Sequence, residues 1–262
     1  MAQTMEKPLQ DRDISVEDLQ AIGCNNAFAR RIVNLLSQES QLEWYLKSGS
    51  HCGCEPLTRI SQEYPHRLRS ALGPDAPGTL WLKGDKTILN TPTISIVGSR
   101  ELCPDNACFA EEVGRQAALQ GFTLVSGNAR GADRIAQEAC LRHGGKVIAM
   151  VADELRQHPF RDNMLYISEE GFDLPFSTMR ALQRNRTIHS FSDKTFVVQC
   201  TKGKGGTWSG TKDNLQHSRS HVFCFNDSSD AYHELVCMGA VSVEIDALTN
   251  IAGIFPETVS FL

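Results

Sequence analysis

The chain has 262 residues, of which 41% are apolar and 22% charged, and its formal net charge is −5. This is the composition of an ordinary globular protein with room for one α/β domain and a small second one, and no apolar stretch approaches the roughly 18–20 residues of a membrane helix. The N-terminus, MAQTMEKPLQDRD, lacks the apolar core of a signal peptide, and the nine cysteines are odd in number and scattered; reduced thiols in a cytoplasmic protein are expected.

The average charge conceals a bias. Between Phe176 and His221 stand eight Lys/Arg (Arg180, Arg184, Arg186, Lys194, Lys202, Lys204, Lys212 and Arg219) against two Asp. A basic segment on an otherwise acidic chain is a footprint for a polyanion, or else a solvated basic face.

Residues 1–13 are polar and expected to be frayed. From Ser15 to Leu46 the pattern is helical. Ser15 caps, Asp18 follows in the first turn, and after a Gly23-Cys24-Asn25-Asn26 break the residues Phe28, Ile32, Val33, Leu35 and Leu36 recur at helical spacing. Short helices about a Gly/Asn turn fit either a helix-hairpin-helix-like DNA module or a small docking bundle, and Arg30 and Arg31 are the only strong cations there. A small helical domain over residues 1–48 is expected. Gly49 to Glu55 reads as a linker; its His51-Cys52-Gly53-Cys54 cluster lacks the two-residue spacer and second ligand pair of a zinc site, so no metal is expected.

The main domain is expected over residues 55–262. Tyr64-Pro65, an amphipathic run with Leu68 and Leu72, a Pro/Gly turn and a strand Thr79–Leu82 at the sheet edge lead into it. The apolar run Ile94–Val97 then stops at Gly98-Ser99-Arg100. After a helical segment, a second run, Phe122–Val125, stops at Ser126-Gly127, with Arg130-Gly131 just beyond. This is strand, glycine turn and helix, twice over. In a parallel sheet such turns lie side by side at the carboxyl ends of the strands, where open α/β folds bind ligands, and helix N-termini aim N–H groups at phosphate. Arg100 and Arg130 add guanidinium forks suited to phosphate oxygens, and Asp133 can orient Arg130 or cap the helix. Plain turn geometry is the other explanation of the glycines.

Lys146–Val151 is the third parallel strand, and Gln157–Asn163 reads as a turn leading into a helix through Met164 and Leu165. Leu182–Ser190 carries Arg184-Asn185-Arg186, whose arginines suit phosphate or a salt bridge and whose Asn185 suits a brace of its own turn. Thr195–Gln199 is strand four; a glycine-rich loop at 202–211 opens a helix through Leu215; Val222–Phe225 is strand five. A helix around Ala231–Met238 and a strand near Val241–Ile245 complete the layer. Strands alternating with helices mean a three-layer α/β sheet. In the loop, Gly205, Gly206 and Thr207 can form an N–H cradle, with Thr207, Ser209 and Thr211 adding hydroxyls. Trp208 either stacks a base or plugs into the domain. His158, His189 and His217 are not spaced as metal ligands.

The collinear motifs VGSR (97–100), SGNARGAD (126–133), HPFRDN (158–163), RNRTI (184–188) and SGT (209–211), with YPHRLRSALGPDAPGTLWLKGD upstream, resemble the DNA-processing protein A (DprA/Smf) family over roughly residues 15–225. The resemblance implies an extended Rossmann-like α/β three-layer sandwich with a mostly parallel sheet and a small N-terminal helical domain. It also implies single-stranded DNA as ligand, a recombinase as partner and a homodimer, with no established catalysis. Three departures stand out. Only Ser168-Glu169 remains of a strand that normally lies between the HPFRDN-type and RNRTI-type motifs, so that strand is expected to be missing. GGTWSGTKDN leans towards the GGxGT loop of the related nucleotide phosphoribohydrolases. No C-terminal winged helix is expected.

The expected DNA or phosphate contacts are Gly98, Ser99, Arg100, Ser126, Gly127, Arg130, Gly131, Asp133, Arg184, Asn185, Arg186, Gly206, Thr207, Ser209, Gly210 and Thr211. No catalytic residue, cofactor or metal is expected. Because the GxGxxG spacing is missing and the cations are spread along the chain, a strand of DNA fits better than a dinucleotide. The alternative is a nucleotide-binding sensor or a phosphoribohydrolase-like enzyme using the GGTWSGT loop.

Overall fold

The computed structural model describes residues 14–255; the expectation for residues 1–13 lies outside them. The chain divides into two compact units, Met1–His51 and Cys52–Leu262. In the first, helix α1 (Val16–Ala21) begins with a capping box: the Asp18 N–H donates to Ser15 Oγ, and the Ser15 N–H donates to Asp18 Oδ2. Helix α2 (Asn26–Leu36) is capped by Asn25, whose Oδ1 accepts from the Phe28 N–H at 2.8 Å. Helix α3 (Glu39–His51) takes in the first residues of the stretch whose composition reads as linker, Gly49 to His51. Ser48 Oγ donates back to Trp44 O instead of breaking the turn, and the break comes at Gly53, with φ +69°.

The second unit is built on a nine-stranded sheet. Its strands are β1 (Glu55–Thr58), β2 (Thr79–Gly84), β3 (Thr93–Val97), β4 (Thr123–Ser126), β5 (Lys146–Met150), β6 (Met164–Ser168), β7 (Lys194–Val197), β8 (His221–Phe225) and β9 (Val241–Val243). The order is β1-β2-β6-β5-β4-β3-β7-β8-β9. β1 and β2 form an antiparallel edge, and β2 pairs antiparallel with β6. Every other pairing is parallel. Both faces are covered, so the central strands are largely apolar: Ile94, Ile96, Leu124, Val125, Val147 and Ile148 are all buried.

From β3 the chain builds outward to β4, β5 and β6 on one side, then returns to place β7, β8 and β9 on the other. With right-handed crossovers, that reversal puts α5 (Pro104–Leu119) and α6 (Ala132–Arg142) on one face and α7 (Thr178–Phe191) and α8 (Gly205–His217) on the opposite face. The α5/α6 contact is close because Gly114 carries no side chain; a Cβ there would run into the backbone of Ala136.

Two strands depart from the expectations. Met164–Leu165, expected to open a helix, instead begin β6, so the strand ending at Ser168, expected to be missing, is present. All five β6 residues are buried, between β2 and β5. A five-residue apolar run is too short to declare a period, and the turn before it, with Asn163 at φ +58°, favours a strand entry. β1 has mostly exposed side chains, and only its pairing with β2 (Glu55 opposite Leu82) makes it a strand. Among the described residues no helix is long and apolar enough to cross a membrane.

A buried charge aligns the carboxyl ends of the strands. Arg184, on α7 and 8% exposed, sends Nη1 to Met150 O at the end of β5 (2.7 Å) and to Gly127 O just after β4. From the other side of the same peptide segment, Asp133 Oδ2 accepts from the N–H groups of Gly127 and Ala129, both at 3.1 Å. Burial pushes the Asp133 carboxyl up to about 6, against the pull of Arg184 and the two N–H donors, and burial lowers the Arg184 pKa while Asp133 opposes that. Replacing Arg184 with Met leaves the buried carbonyls of Gly127 and Met150 without their donor and removes the positive charge that stabilises the buried Asp133 carboxylate. The expected cost is about 3–5 kcal/mol, measured by urea unfolding; a loss under about 1 kcal/mol would show that the brace is dispensable.

Candidate nucleic-acid interface

The strand order reverses between the parallel neighbours β3 and β7, and the loops after these strands diverge there to open a crevice, the usual ligand position in an open α/β sheet. A groove of about 750 Å³ occupies it. One wall is the Gly98-Ser99-Arg100 turn, which its neighbours fix on three sides. The Ser99 N–H and Oγ both donate to Gln199 O beyond β7, at 2.9 and 3.1 Å. Thr207 Oγ1 donates to Gly98 O at 3.0 Å, tying in the start of α8. The Ala132 N–H donates to Ser99 O at 3.2 Å, tying in the start of α6. That last approach requires Gly131, whose φ is +78° and whose absent Cβ would strike the Ser99 and Arg100 backbone. The turn is therefore rigid, and the Arg100 side chain leaves it into solvent.

The other wall is the start of α8. Its first residue is Gly205, at φ +82°, and no side chain caps it; α6 likewise starts at Gly131 without a side-chain cap. Two helix N-termini therefore flank the turn, each a source of partial positive charge. Asn185 Nδ2 donates to Gly206 O at 3.1 Å, joining α7 to the start of α8. Phe176, Thr178, Ala181 and Leu182 form the lip on the α7 side, and Phe176 is 55% exposed.

Of the expected contacts, Gly98, Ser99, Arg100, Asp133, Arg184, Asn185, Gly206 and Thr207 line this groove together. The others lie off its walls. Ser126 Oγ accepts from Gln137 Nε2 at 2.6 Å, and the Gly127 N–H is held by Asp133. Arg130 is exposed just outside the lining. Arg186 turns to Asp75, donating to its carbonyl at 3.2 Å with its carboxylate at 3.9 Å. The residues expected to form a glycine loop are the first turns of α8. There Trp208 and Thr211 are buried, Gly210 lies against Asn185, and Ser209 Oγ turns back to the Gly205 and Gly206 carbonyls.

The basic segment is mostly neutralised within the fold. Arg180 pairs with Glu170, Lys202 with Glu234 and Arg219 with Asp213. Lys194 is buried on the carbonyls of Ile251 and Ala252, and Lys212 lies over the Trp208 ring. Of the eight cations, Lys204 alone is exposed with no side-chain partner among the described residues, and it lines the groove. Arg100 faces it from the opposite wall, also unpaired among the described residues. Lys204, Gln199, Thr201, Phe176 and Thr178 are groove residues absent from the expected set. The LysGlyLysGlyGly run did signal Lys204, but attention to its glycines passed over it; Phe176 and Thr178 stand in a stretch with no motif.

The model of the family described as DNA recombination-mediator protein A matches residues 55–253. The chain is similar to Protein Smf of Escherichia coli, with 29% identity over 247 residues, covering 86% of this chain and 63% of Smf. It spans about three-fifths of the length of the curated relatives it matches. Among solved structures it resembles DNA processing protein A from Streptococcus pneumoniae, with a TM-score of 0.75 and 24% identity, covering 94% of this chain and 89% of the other, a likeness of fold. It also resembles DNA processing protein A from Helicobacter pylori, whose single-stranded DNA binding mode that structure addresses; the TM-score is 0.62 and the identity 25%, covering 75% of this chain and 94% of the other. With the family matched across most of its length and the fold shared, this chain belongs to the DNA recombination-mediator protein A family.

Proposed function

We propose that the groove between the loops after β3 and β7 binds a single strand of DNA through its phosphates, and that the protein acts in DNA processing as a binding protein. The observation that carries this reading is the placement of Arg100 and Lys204, unpaired among the described residues, in one groove beside the N-terminus of α8, which no side chain caps. The binding of single-stranded DNA by the Helicobacter pylori protein supports it. The nucleotide-binding alternative needs residues 205–211 free to wrap a phosphate; their place in α8, with Trp208 and Thr211 buried, counts against it.

Two or three phosphate contacts are few. For a single strand each neutralised phosphate contributes about −0.7 to the slope of log K against log salt, so a slope of roughly −1.4 to −2.1 is expected for a short oligo(dT). Arg100→Ala and Lys204→Ala should each flatten it by about 0.7, whereas Arg186→Ala should leave it unchanged. A slope near zero, or loss of binding through Arg186 alone, would place the strand elsewhere.

The homodimer and the recombinase partner implied by the resemblance belong to the same proposal. Light scattering at twice the 29.0 kDa chain mass is the result expected for the dimer, and a monomer at all concentrations would rule it out. Retention of the recombinase on a strand only when this protein is present is the result expected for the partner; equal loading without it would refute that part.

A further inference from the structure

The chain leaves β7 as an extended segment whose side chains alternate. Val197, Gln199 and Thr201 line the groove, whereas Val198 and Cys200, both buried, do not, the period of an extended chain. Within this row Gln199 is held at both of its carbonyl groups. Its backbone oxygen accepts from the Ser99 N–H and Oγ, and its side-chain Oε1 accepts from the Cys103 N–H at 2.9 Å. A backbone N–H can only donate, so the side-chain atom it meets is the oxygen, and the NH2 group stands on the other side of the amide. Neither Nε2 hydrogen has a partner among the described residues, and Nε2 is open to solvent.

An amide anchored by its oxygen loses little further freedom when its nitrogen binds, so its donors are pre-organised. The groove has a use for them. Arg184 and Asp133 offset one another there, which leaves two cations, Arg100 and Lys204, against one carboxylate, Glu101. A neutral amide bonded to a phosphate oxygen makes a charge-assisted hydrogen bond without a second ion to desolvate. Deepening the DNA reading, on which it rests, we propose that Gln199 Nε2–H is a fixed neutral donor to a phosphate oxygen of the bound strand. The contact is to the backbone and carries no sequence information. Gln199 thus serves the groove twice: its two oxygens hold the turn that carries Arg100 and the start of α5, and its nitrogen meets the strand.

The test follows the side-chain NH2 signals of Gln199 by NMR in the full chain, identified by their absence from Gln199→Met. Oligo(dT) and an abasic oligomer of the same length should shift them alike. A shift from oligo(dT) alone would assign the donor to a base, and binding with no shift would leave it without a ligand; either result overturns the phosphate contact while the DNA reading stands. Failure of both oligomers to bind at low salt would overturn the groove reading and this inference with it. Salt titrations of two variants separate the donor from a merely structural role. Gln199→Met should weaken binding about tenfold, the effect of one hydrogen bond to a charged group, with the slope against salt unchanged because the lost donor is neutral. A flattened slope would show that the variant acts by displacing Arg100, and would overturn the proposal. Gln199→Glu keeps an oxygen for the Cys103 N–H, so it should unfold in urea at the parent's midpoint yet bind more weakly than Gln199→Met. Binding by Gln199→Glu as tight as that of the parent protein would contradict the donor role.

Discussion

The bonds from Arg184 to the carbonyls of Gly127 and Met150 are the constraint on which the rest of the groove depends. A parallel sheet leaves the carboxyl ends of its strands as loops that nothing inside the sheet aligns. Here one guanidinium, buried on α7, gathers the ends of β4 and β5, and Asp133 closes the same turn from α6. Loss of the guanidinium leaves two buried carbonyls without a donor, so the brace is costly to break even where its net contribution is small. With these ends fixed, α6 starts where its first N–H, that of Ala132, reaches the Gly98-Ser99-Arg100 turn, and that turn is held in place against Gln199 and Thr207.

The chemistry follows from which charges are left over. Between Phe176 and His221 positive charge is abundant, yet nearly all of it is bound to carboxylates, carbonyls or an aromatic ring. Among the described residues that line the groove, the cations left for a ligand are Lys204 from the loop after β7 and Arg100 from the turn after β3, at the point where strand order reverses. Topology, more than net charge, decides where a polyanion is met. A chain of net charge −5 can hold a strand if two cations and a helix N-terminus converge, because local potential, and not the average, sets the contact.

Much of this was legible in the chain. The apolar runs ending in Gly98-Ser99-Arg100 and Ser126-Gly127 marked the strand ends correctly, because tight βα turns between buried parallel strands need small residues. The expected set also included half of the wall across the switch point, through Asn185, Gly206 and Thr207. Partnership was not legible. A sequence records that Arg184 and Arg186 are cations, not that one reaches two carbonyls and the other meets Asp75. Helix α8 was expected through Leu215 but starts earlier, at Gly205; its glycines argue for a loop, although glycine is tolerated at a helix start. β6 escaped because Met164–Ser168 is too short to show a period, and its identity is fixed by pairing with strands from both sides.

The central claim is that a DNA strand lies across the carboxyl ends of β3 and β7. The structure of the protein with bound oligo(dT) tests it most directly. The account predicts phosphate oxygens within hydrogen-bond reach of Arg100 and Lys204 on opposite walls of the groove. A strand seated elsewhere and touching neither cation, such as in the cavity by Arg67 and Lys194 at the other end of the sheet, would contradict it.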